Sequence, residues 1–242
     1  MAKYYYEQPG DRNTVYAAAE KWKEKCLIED QSFIWKDEKI WTVHNLNRFK
    51  AVFVDNPNQT GDSFDEKLKK QLENESEDIY KLTIELLYFY YLFPRKESSW
   101  FVRKMKNLKK VAAWKDIKID EELEIFQALK HGLGSTGPFY NTSKFYELSL
   151  LVLTALNLKK FPITEREAVL NDSRKIKQLV EINRLKIGKK LQMQHVFLHL
   201  ILPEKFERIS SWGHKDRIVK SFDYILKDSS LTDVDEKIAH IR

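Results

Sequence analysis

Residues 79–93 read IYKLTIELLYFYYLF, and this stretch decides the fold. Its apolar side chains occupy nearly every face of a helix, which is typical of a helix buried in the middle of a domain. Pro94 follows directly and cannot continue the helix. The stretch is also too short to cross a bilayer. It therefore predicts a buried helix of a mainly α, multi-helix domain.

The sequence on both sides of this helix carries further helical signals. Ser63 and Glu66 form a capping box, in which each side chain bonds the backbone amide of the other residue. Residues 145–158 predict a second strongly apolar helix, and residues 191–202 predict a third that ends at Pro203. Only 7 glycines and 6 prolines occur among 242 residues, which argues against most all-β and nucleotide-binding folds.

One β signal lies near the N-terminus. Residues 33–35 (FIW) and 40–43 (IWTV) are rich in aromatic and β-branched side chains. The charged sequence KDEK at residues 36–39 separates them and is typical of a turn. The pattern predicts one small β-hairpin in an otherwise helical domain.

The composition limits the class of protein. Hydrophobic residues make up 43% and charged residues 32%, which indicates a globular chain and not a disordered one. The net charge of +6 gives a mild preference for polyanions. The single cysteine, Cys26, excludes an intramolecular disulfide and a Cys-rich zinc site. Because residues 1–10 contain no apolar signal segment, we expect a cytoplasmic protein.

The chain divides into three predicted regions. Residues 1–60 form an N-terminal subregion of helix, hairpin and helix, and residues 61–230 form a helical core domain. Residues 231–242 begin another helix, with a capping signal at Thr232 and Asp235. No Gly, Asn or Pro ends that last helix, so we expect a truncated helix that leads to an absent further domain.

A glycine-rich segment satisfies the dinucleotide-binding pattern G-x-G-x-x-G at Gly132, Gly134 and Gly137. That site needs a strand before the glycines and a helix opening within them. Here an acidic amphipathic helix is predicted before the glycines, and Pro138 follows them. No P-loop pattern occurs elsewhere. The segment therefore predicts a helix-ending loop, and we expect no cofactor.

Two histidines, His195 and His199, lie four residues apart and share one helix face. A zinc protease motif requires Glu directly after the first histidine, whereas this sequence has Val196. Ordinary packing is favoured, and no metal site is expected. Cys26 with the downstream His44 lacks an orienting motif, so no catalytic nucleophile is predicted.

Two carboxylates, Glu85 and Glu147, stand inside otherwise apolar helices. A buried carboxylate must be paired, hydrogen-bonded or protonated. The two helices both belong to the predicted core, so a paired acid/base site is conceivable. The favoured interpretation is structural, with each carboxylate satisfied by an Arg, a Tyr or a backbone amide.

The strongest functional signal is basic. Between residues 95 and 118 the only acidic residues are Glu97 and Asp116. The basic residues of this stretch are Arg95, Lys96, Arg103, Lys104, Lys106, Lys109, Lys110, Lys115 and Lys118. A second basic stretch covers residues 175–190, and the sequence does not show whether the two are adjacent in space.

Helical spacing predicts which side of the first basic stretch faces solvent. Apolar side chains at positions 101, 105, 108 and 112 would face the core, which turns Arg103, Lys106 and Lys110 outward with Lys104 and Lys109 on the flanks. Such lysines suit phosphates, and an exposed Trp suits stacking on a single-stranded or extruded base. A solvated face with buried tryptophans fits equally well. The candidate nucleic-acid-binding residues are Trp100, Arg103, Lys104, Lys106, Lys109, Lys110 and Trp114.

Several segments together resemble a known family. They are SFIWKDEKIWTVHNL, SFDEKLKKQL, IELLYFYYLFP, ALKHGLGSTGPFYN, LILPEKFERISSWGHKDRIVKSF and LTDVDEKIAHIR. Their order resembles the region that precedes the motor domain in McrB-like AAA+ proteins of modification-dependent restriction systems. The resemblance covers roughly residues 30–242 and is most specific over residues 202–222.

The resemblance implies a non-catalytic, DNA-engaging module of an anti-phage system. Its implied partners are DNA, an AAA+ motor that is absent from this chain, and a nuclease subunit; no membrane is implied. No catalytic residue can be transferred from the family to this sequence. The alternative is a helical adaptor that positions the motor or the nuclease without touching DNA, and the acidic residues 62–78 offer it a surface.

Overall fold

The computed structural model describes residues 11–95, 99–226 and 230–242. This part of the chain is mainly helical, as predicted. Its helices are α1 (Asp11–Trp22), α2 (Val43–Phe49), α3 (Phe64–Leu72), α4 (Glu77–Leu92), α5 (Ser99–Ala113), α6 (Gly137–Thr142), α7 (Lys144–Leu158), α8 (Ile163–Asn171), α9 (Ser173–Ile187), α10 (Met193–Ile201), α11 (Trp212–Ser221) and α12 (Val234–Ile241). Wider π-helical turns extend α1 over Lys23–Ile28 and α2 over Lys50–Val54, and 3₁₀ turns form at Glu124–Lys130 and Asp223–Ile225.

Helix α4 lies at the centre of the molecule. It packs against α1, α2, α5 and α7, and every side chain from Ile79 to Leu92 is buried. Aromatic rings fill much of this core: Phe89 packs on Trp22 with ring centroids 4.0 Å apart, and Tyr90 stacks on Tyr140 at 4.3 Å. Burial of large rings on every side explains why the sequence of α4 shows no polar face.

The predicted hairpin at residues 33–43 does not form. Within the described residues the only β-type pairing is a single bridge between Pro94 and Gly134. The backbone amides of Phe33 and Ile34 both donate to Glu85 Oε1 at 2.7 Å, and the Trp41 indole donates to Glu85 Oε2. Because the carboxylate takes the amide hydrogens that a strand partner would need, the segment is an irregular loop wrapped around α4.

Helix α7 is the second buried helix and packs against α2, α9 and α10. Its Glu147 accepts hydrogen bonds from the backbone amides of Gln192 and Met193, which fixes the start of α10. Asn157 of α7 donates to Asn183 Oδ1 of α9 at 2.6 Å. These contacts hold α7 and α9 side by side.

The glycine-rich segment is a loop that follows the 3₁₀ turn Glu124–Lys130, where the sequence predicts a helix-ending loop. Gly132 has φ of +71°, and a Cβ at this position would lie 2.5 Å from the Pro94 carbonyl oxygen. Arg95 N donates to Gly134 O at 2.8 Å. Close packing against the end of α4 therefore explains the glycines.

The chain beyond residue 203 folds against the rest through α11 and α12. Asp233 caps α12 by accepting from the amides of Asp235 and Glu236, so the predicted final helix is present and its cap lies next to the predicted Thr232. Buried Lys215 of α11 donates to Asp235 Oδ1 at 2.6 Å. No helix among the described residues has the length and apolar character needed to cross a membrane.

Candidate nucleic-acid interface

The basic residues of α5 occupy two different environments. Arg103, Lys106, Lys109 and Lys110 are exposed, as the helical spacing predicts. Lys96, which belongs to the same stretch of sequence, lies outside the described residues. The exposed face of α5 is therefore cationic, and we call these four side chains the α5 face.

Lys104 is a correction to the sequence prediction. Only 3% of it is exposed, and its ammonium donates to the carbonyl oxygens of Pro94 and Leu129, each at 3.0 Å. Burial lowers its pKa to about 8. Lys104 lies on the same face of α5 as Leu108 and Val111, both of which are buried, so its side chain points into the core. There it satisfies two backbone carbonyl groups. It is not available to a ligand on the surface.

Ion pairs within the chain compensate much of the charge on the α5 face. Lys109 pairs with Glu121 at 2.7 Å, and Lys110 pairs with Asp65 at 2.8 Å. The Arg103 guanidinium lies 5.3 Å from the Trp100 ring centroid.

The two predicted stacking residues are only partly exposed. Trp100 is half-buried beneath Arg103, and Trp114 packs against the hydrophobic core. Trp114 is therefore poorly placed for stacking on a base.

Residues of α7 and α9 line a recess on the described part of the molecule. It consists of three neighbouring cavities of about 720, 280 and 440 Å³. The first and second share Leu153, the second and third share Asn157 and Lys160, and Lys186 lines all three. We call these three adjoining cavities together the α7–α9 groove.

Lysines line the groove from end to end. They come from the turn after α2, from α3, from α7 and the two residues after it, and from α9: Lys50, Lys67, Lys144, Lys159, Lys160, Lys175 and Lys186. Lys50 pairs with Asp55 at 2.6 Å, and Lys159 is buried against Asp30. Within the described part of the chain, Lys67, Lys144, Lys160 and Lys186 form no ion pair. Their charge is therefore uncompensated by a direct partner.

Lys144 has the most unusual surroundings of these lysines. Its ammonium lies 4.7 Å from the Phe64 ring centroid and 5.5 and 5.6 Å from those of Tyr90 and Tyr91. Burial lowers the pKa of this amine, and Asp65 attracts it only at longer range. Three aromatic faces thus hold a recessed cation at the wall of the largest cavity.

Aromatic side chains form much of the wall of the same cavity. Phe53, Phe64, Phe145 and Tyr146 line it, and neighbouring rings pack against one another. The Lys189 ammonium lies 4.6 Å from the Tyr146 ring centroid. The first cavity has one carboxylate among its described lining residues, Asp62, and that group is paired with Lys70 at 2.8 Å.

The groove and the α5 face meet at one side chain. Tyr91 Oη accepts from Asn107 of α5 at 3.0 Å and lies 3.4 Å from the Lys144 ammonium. The second basic stretch of the sequence supplies Lys175 and Lys186 to the groove. Tyr91 therefore links α5, which carries the first stretch, to Lys144, which belongs to neither stretch.

The two buried carboxylates have separate structural roles. Glu85 holds the loop around α4, and Glu147 holds the start of α10 with a further bond from Ser143. Burial raises the pKa of Glu85 to about 6 and that of Glu147 to about 7, although hydrogen bonds from their partners oppose both shifts. Backbone amides satisfy them, as the structural interpretation predicts, and their partner sets do not overlap.

The histidine pair is also packed into the interior. His199 Nε2 lies 2.9 Å from Tyr16 Oη, and its Nδ1 lies 2.8 Å from the Phe206 carbonyl oxygen. His195 Nδ1 lies 3.1 Å from the ammonium of Lys215. No cluster of metal-ligating side chains occurs among the residues that the structure describes.

Sequence reasoning missed the groove. Lys67 lies in the mixed-charge segment DEKLKK, Lys144 has no basic neighbour, and Lys160 follows Lys159, so none of the three belongs to either basic stretch. A weak signal was present in the apolar helix at residues 145–158, because a lysine directly before such a helix lies at the edge of the core.

The chain was compared with protein-family models, with curated proteins and with solved structures, and no match was found in any of the three. The resemblance to the McrB-like family thus gains no support from these comparisons.

Proposed function

We propose that this chain is a non-catalytic nucleic-acid-binding module and that the α7–α9 groove is its main binding surface. The observation that carries the proposal is the set of ion-pair-free lysines, Lys67, Lys144, Lys160 and Lys186, on one aromatic-walled groove. A row of cations without carboxylate partners attracts a polyanion, because phosphates would supply the missing charge.

The environment of Lys144 supports the same proposal. Burial disfavours the charged form of its amine, so a phosphate placed beside it would raise its pKa again. On the α5 face, Arg103 lies close enough to Lys144 to help lower its pKa, whereas Lys109 and Lys110 must first give up their carboxylate partners. The groove is therefore the stronger of the two surfaces.

The wider setting is also proposed. The sequence resemblance suggests a module that acts with an AAA+ motor and a nuclease subunit in restriction of foreign DNA. The adaptor alternative has less support, because carboxylates of the acidic residues 62–78 already bind partners in the same chain. Asp62 pairs with Lys70, Asp65 with Lys110, and Glu75 with Arg48.

A salt titration tests the binding proposal. Fluorescently labelled DNA, both single-stranded and duplex, is titrated with the protein at several salt concentrations. Each phosphate contact contributes about 0.7 to the slope of log affinity against log salt on single strands, and about 0.9 on duplex. Replacing Lys67, Lys144 and Lys186 together with Gln is expected to lower that slope by about 2.

A matched variant controls for net charge. Lys21, Lys36 and Lys205 are exposed and lie outside the groove, and their replacement with Gln removes the same charge. This control is expected to retain nearly the wild-type slope. Absence of salt-dependent binding by the wild-type protein, or equal loss in both triple variants, contradicts the proposal.

A further inference from the structure

We infer that the α7–α9 groove takes single-stranded nucleic acid in preference to duplex, with bases stacked on Tyr146 and Phe161. This inference rests on the proposed function and names the form of the nucleic acid. It follows from the recessed position of the lysines, the length of the groove and the exposure of the two rings.

The recessed position of Lys144 favours single-stranded nucleic acid over duplex. Lys144 lines the first cavity, and its ammonium lies against the buried rings of Tyr90 and Tyr91 and not on the outer surface. A duplex carries its phosphates on the outside of a wide, stiff rod and keeps its bases stacked inside. Such a rod contacts the rim of a cavity, whereas a single strand bends into it. Only the flexible strand brings a phosphate to Lys144.

The length of the groove suits a short strand. Lys175 lines the third cavity and Lys186 lines all three, and both belong to α9. Their separation along the helix axis is about 17 Å at 1.5 Å per residue. One strand of a duplex has about 3.4 Å per phosphate, so a single strand that is at least as extended places up to about five nucleotides along this distance. Known single-strand sites in other folds span a similar range.

Two aromatic rings are available near the ends of the groove. Tyr146 in the first cavity and Phe161 in the third are each 37% exposed, although most large apolar side chains of this chain are buried. The Lys189 ammonium lies over the Tyr146 ring, so a base that stacks on this face displaces the lysine, whose charge then meets the phosphate. Lys160 and Lys175 line the cavity that contains Phe161. In a nucleotide the base lies next to its phosphate. An aromatic ring next to a lysine can therefore stack on the base while the lysine contacts the phosphate.

Fluorescence anisotropy with three probes tests the inference. The probes are an oligothymidine of about twelve nucleotides, a duplex of the same length, and the same sugar-phosphate strand without bases. The oligothymidine is expected to bind at least about tenfold more tightly than either other probe, because only it offers unpaired bases for stacking.

Ring substitutions locate the stacking. Tyr146→Ala and Phe161→Ala are each expected to weaken oligothymidine binding by about fivefold to a hundredfold and to leave duplex binding unchanged. Tyr146→Leu retains an apolar contact with Phe145 and is expected to show the same loss, which separates stacking from packing. Tyr224→Ala is the matched control, because Tyr224 is 65% exposed and lies outside the groove.

The outcomes separate this inference from the proposed function. If duplex binds as tightly as oligothymidine, or if the base-free strand does, the inference is overturned while the groove remains a nucleic-acid site. If the ring variants with wild-type melting temperatures bind oligothymidine normally, the inference is also overturned. If none of the probes binds at low salt, the proposed function fails together with it.

Discussion

The α5 face and the α7–α9 groove are both rich in basic side chains, but they differ in what those side chains contact. On α5 the cations are neighbours in sequence, and two of them, Lys109 and Lys110, pair with carboxylates of the same chain. In the groove the lysines come from distant segments, and Lys160 and Lys186 pair with no carboxylate of the described residues. The α5 face has the higher density of basic residues in the sequence, but more of its charge is already paired and cannot bind a ligand.

The comparison shows how local charge density misleads. A run of lysines is costly to leave uncompensated, and nearby acidic segments such as residues 62–78 fold against it. Lysines scattered through the sequence escape such pairing when packing brings them to one groove. Whether a lysine is free to bind a phosphate therefore depends on the tertiary structure and not on the local sequence.

The largest single-residue effect is expected at Lys186, since this side chain lines all three cavities. Lys186→Glu removes a cation and adds an anion in the groove. We expect binding of single-stranded DNA to weaken by roughly tenfold at low salt, with the salt slope lowered by about 0.7 to 1.4. Lys220→Glu makes the same charge change at an exposed site on α11 and should have little effect. Equal effects of both variants indicate non-specific attraction.

A smaller effect is expected from the α5 face. Replacing Arg103, Lys106 and Lys110 together with Gln is expected to lower the salt slope by less than about 1. The reason is that Lys110 already contacts Asp65, so its loss releases few counterions on binding. Anisotropy titrations over a range of salt measure this slope. If the salt slope decreases by about 2 to 3, the main nucleic-acid interface lies on α5 and not in the groove.

Removing a carboxylate partner is expected to give a modest gain in DNA affinity. Asp65→Asn removes the carboxylate that pairs with Lys110 and attracts Lys144. Both cations then become more available, so we expect DNA to bind about twofold more tightly at low salt. The same titration measures the gain, with Asp216→Asn on α11 as the control. Weaker binding by Asp65→Asn contradicts the account of compensated charge.

No effect on binding is expected at Lys104, although it belongs to the same basic stretch. Lys104→Met should leave DNA affinity unchanged because the side chain is buried. Its effect should appear in stability. A folded pKa of about 8, below the ordinary 10.5, means that the folded protein binds fewer protons than the unfolded chain between these values.

Protonation of Lys104 therefore makes the free energy of unfolding depend on pH. The contribution of Lys104 to stability rises as pH increases from about 8 to about 10.5, by roughly 2 to 3 kcal/mol. Denaturant unfolding of wild type and Lys104→Met at pH values across this window isolates the contribution as a difference. The variant should lack this rise. Parallel pH profiles for the two proteins show that Lys104 is not the group responsible.

The sequence predicts much of the helical fold. Continuous apolar character predicts the central α4, and the capping box predicts the start of α3 at Ser63, where both of its hydrogen bonds are present. These features are local, because helix periodicity and caps depend on residues within about one turn. The glycine loop is equally local, since Gly132 adopts a positive φ at the end of its segment.

The features that sequence reasoning missed depend on distant partners. The predicted hairpin at residues 33–43 does not form because its amide and indole N–H groups donate to Glu85, which is more than forty residues away. Lys104 is buried because carbonyl groups at Pro94 and Leu129 accept its hydrogens, and no local pattern reveals them. The groove combines side chains from residues 43–71, 141–161 and 169–187, so only the packed structure reveals it.

The most direct test of the account is a lysine footprint, read by mass spectrometry after brief acetylation with and without saturating oligothymidine. We predict that Lys67, Lys160 and Lys186 become protected when the strand is bound, whereas Lys106 and Lys109 react at unchanged rates. This result places the strand in the groove, residue by residue. Protection of Lys106 and Lys109 with unchanged reactivity in the groove contradicts the central claim.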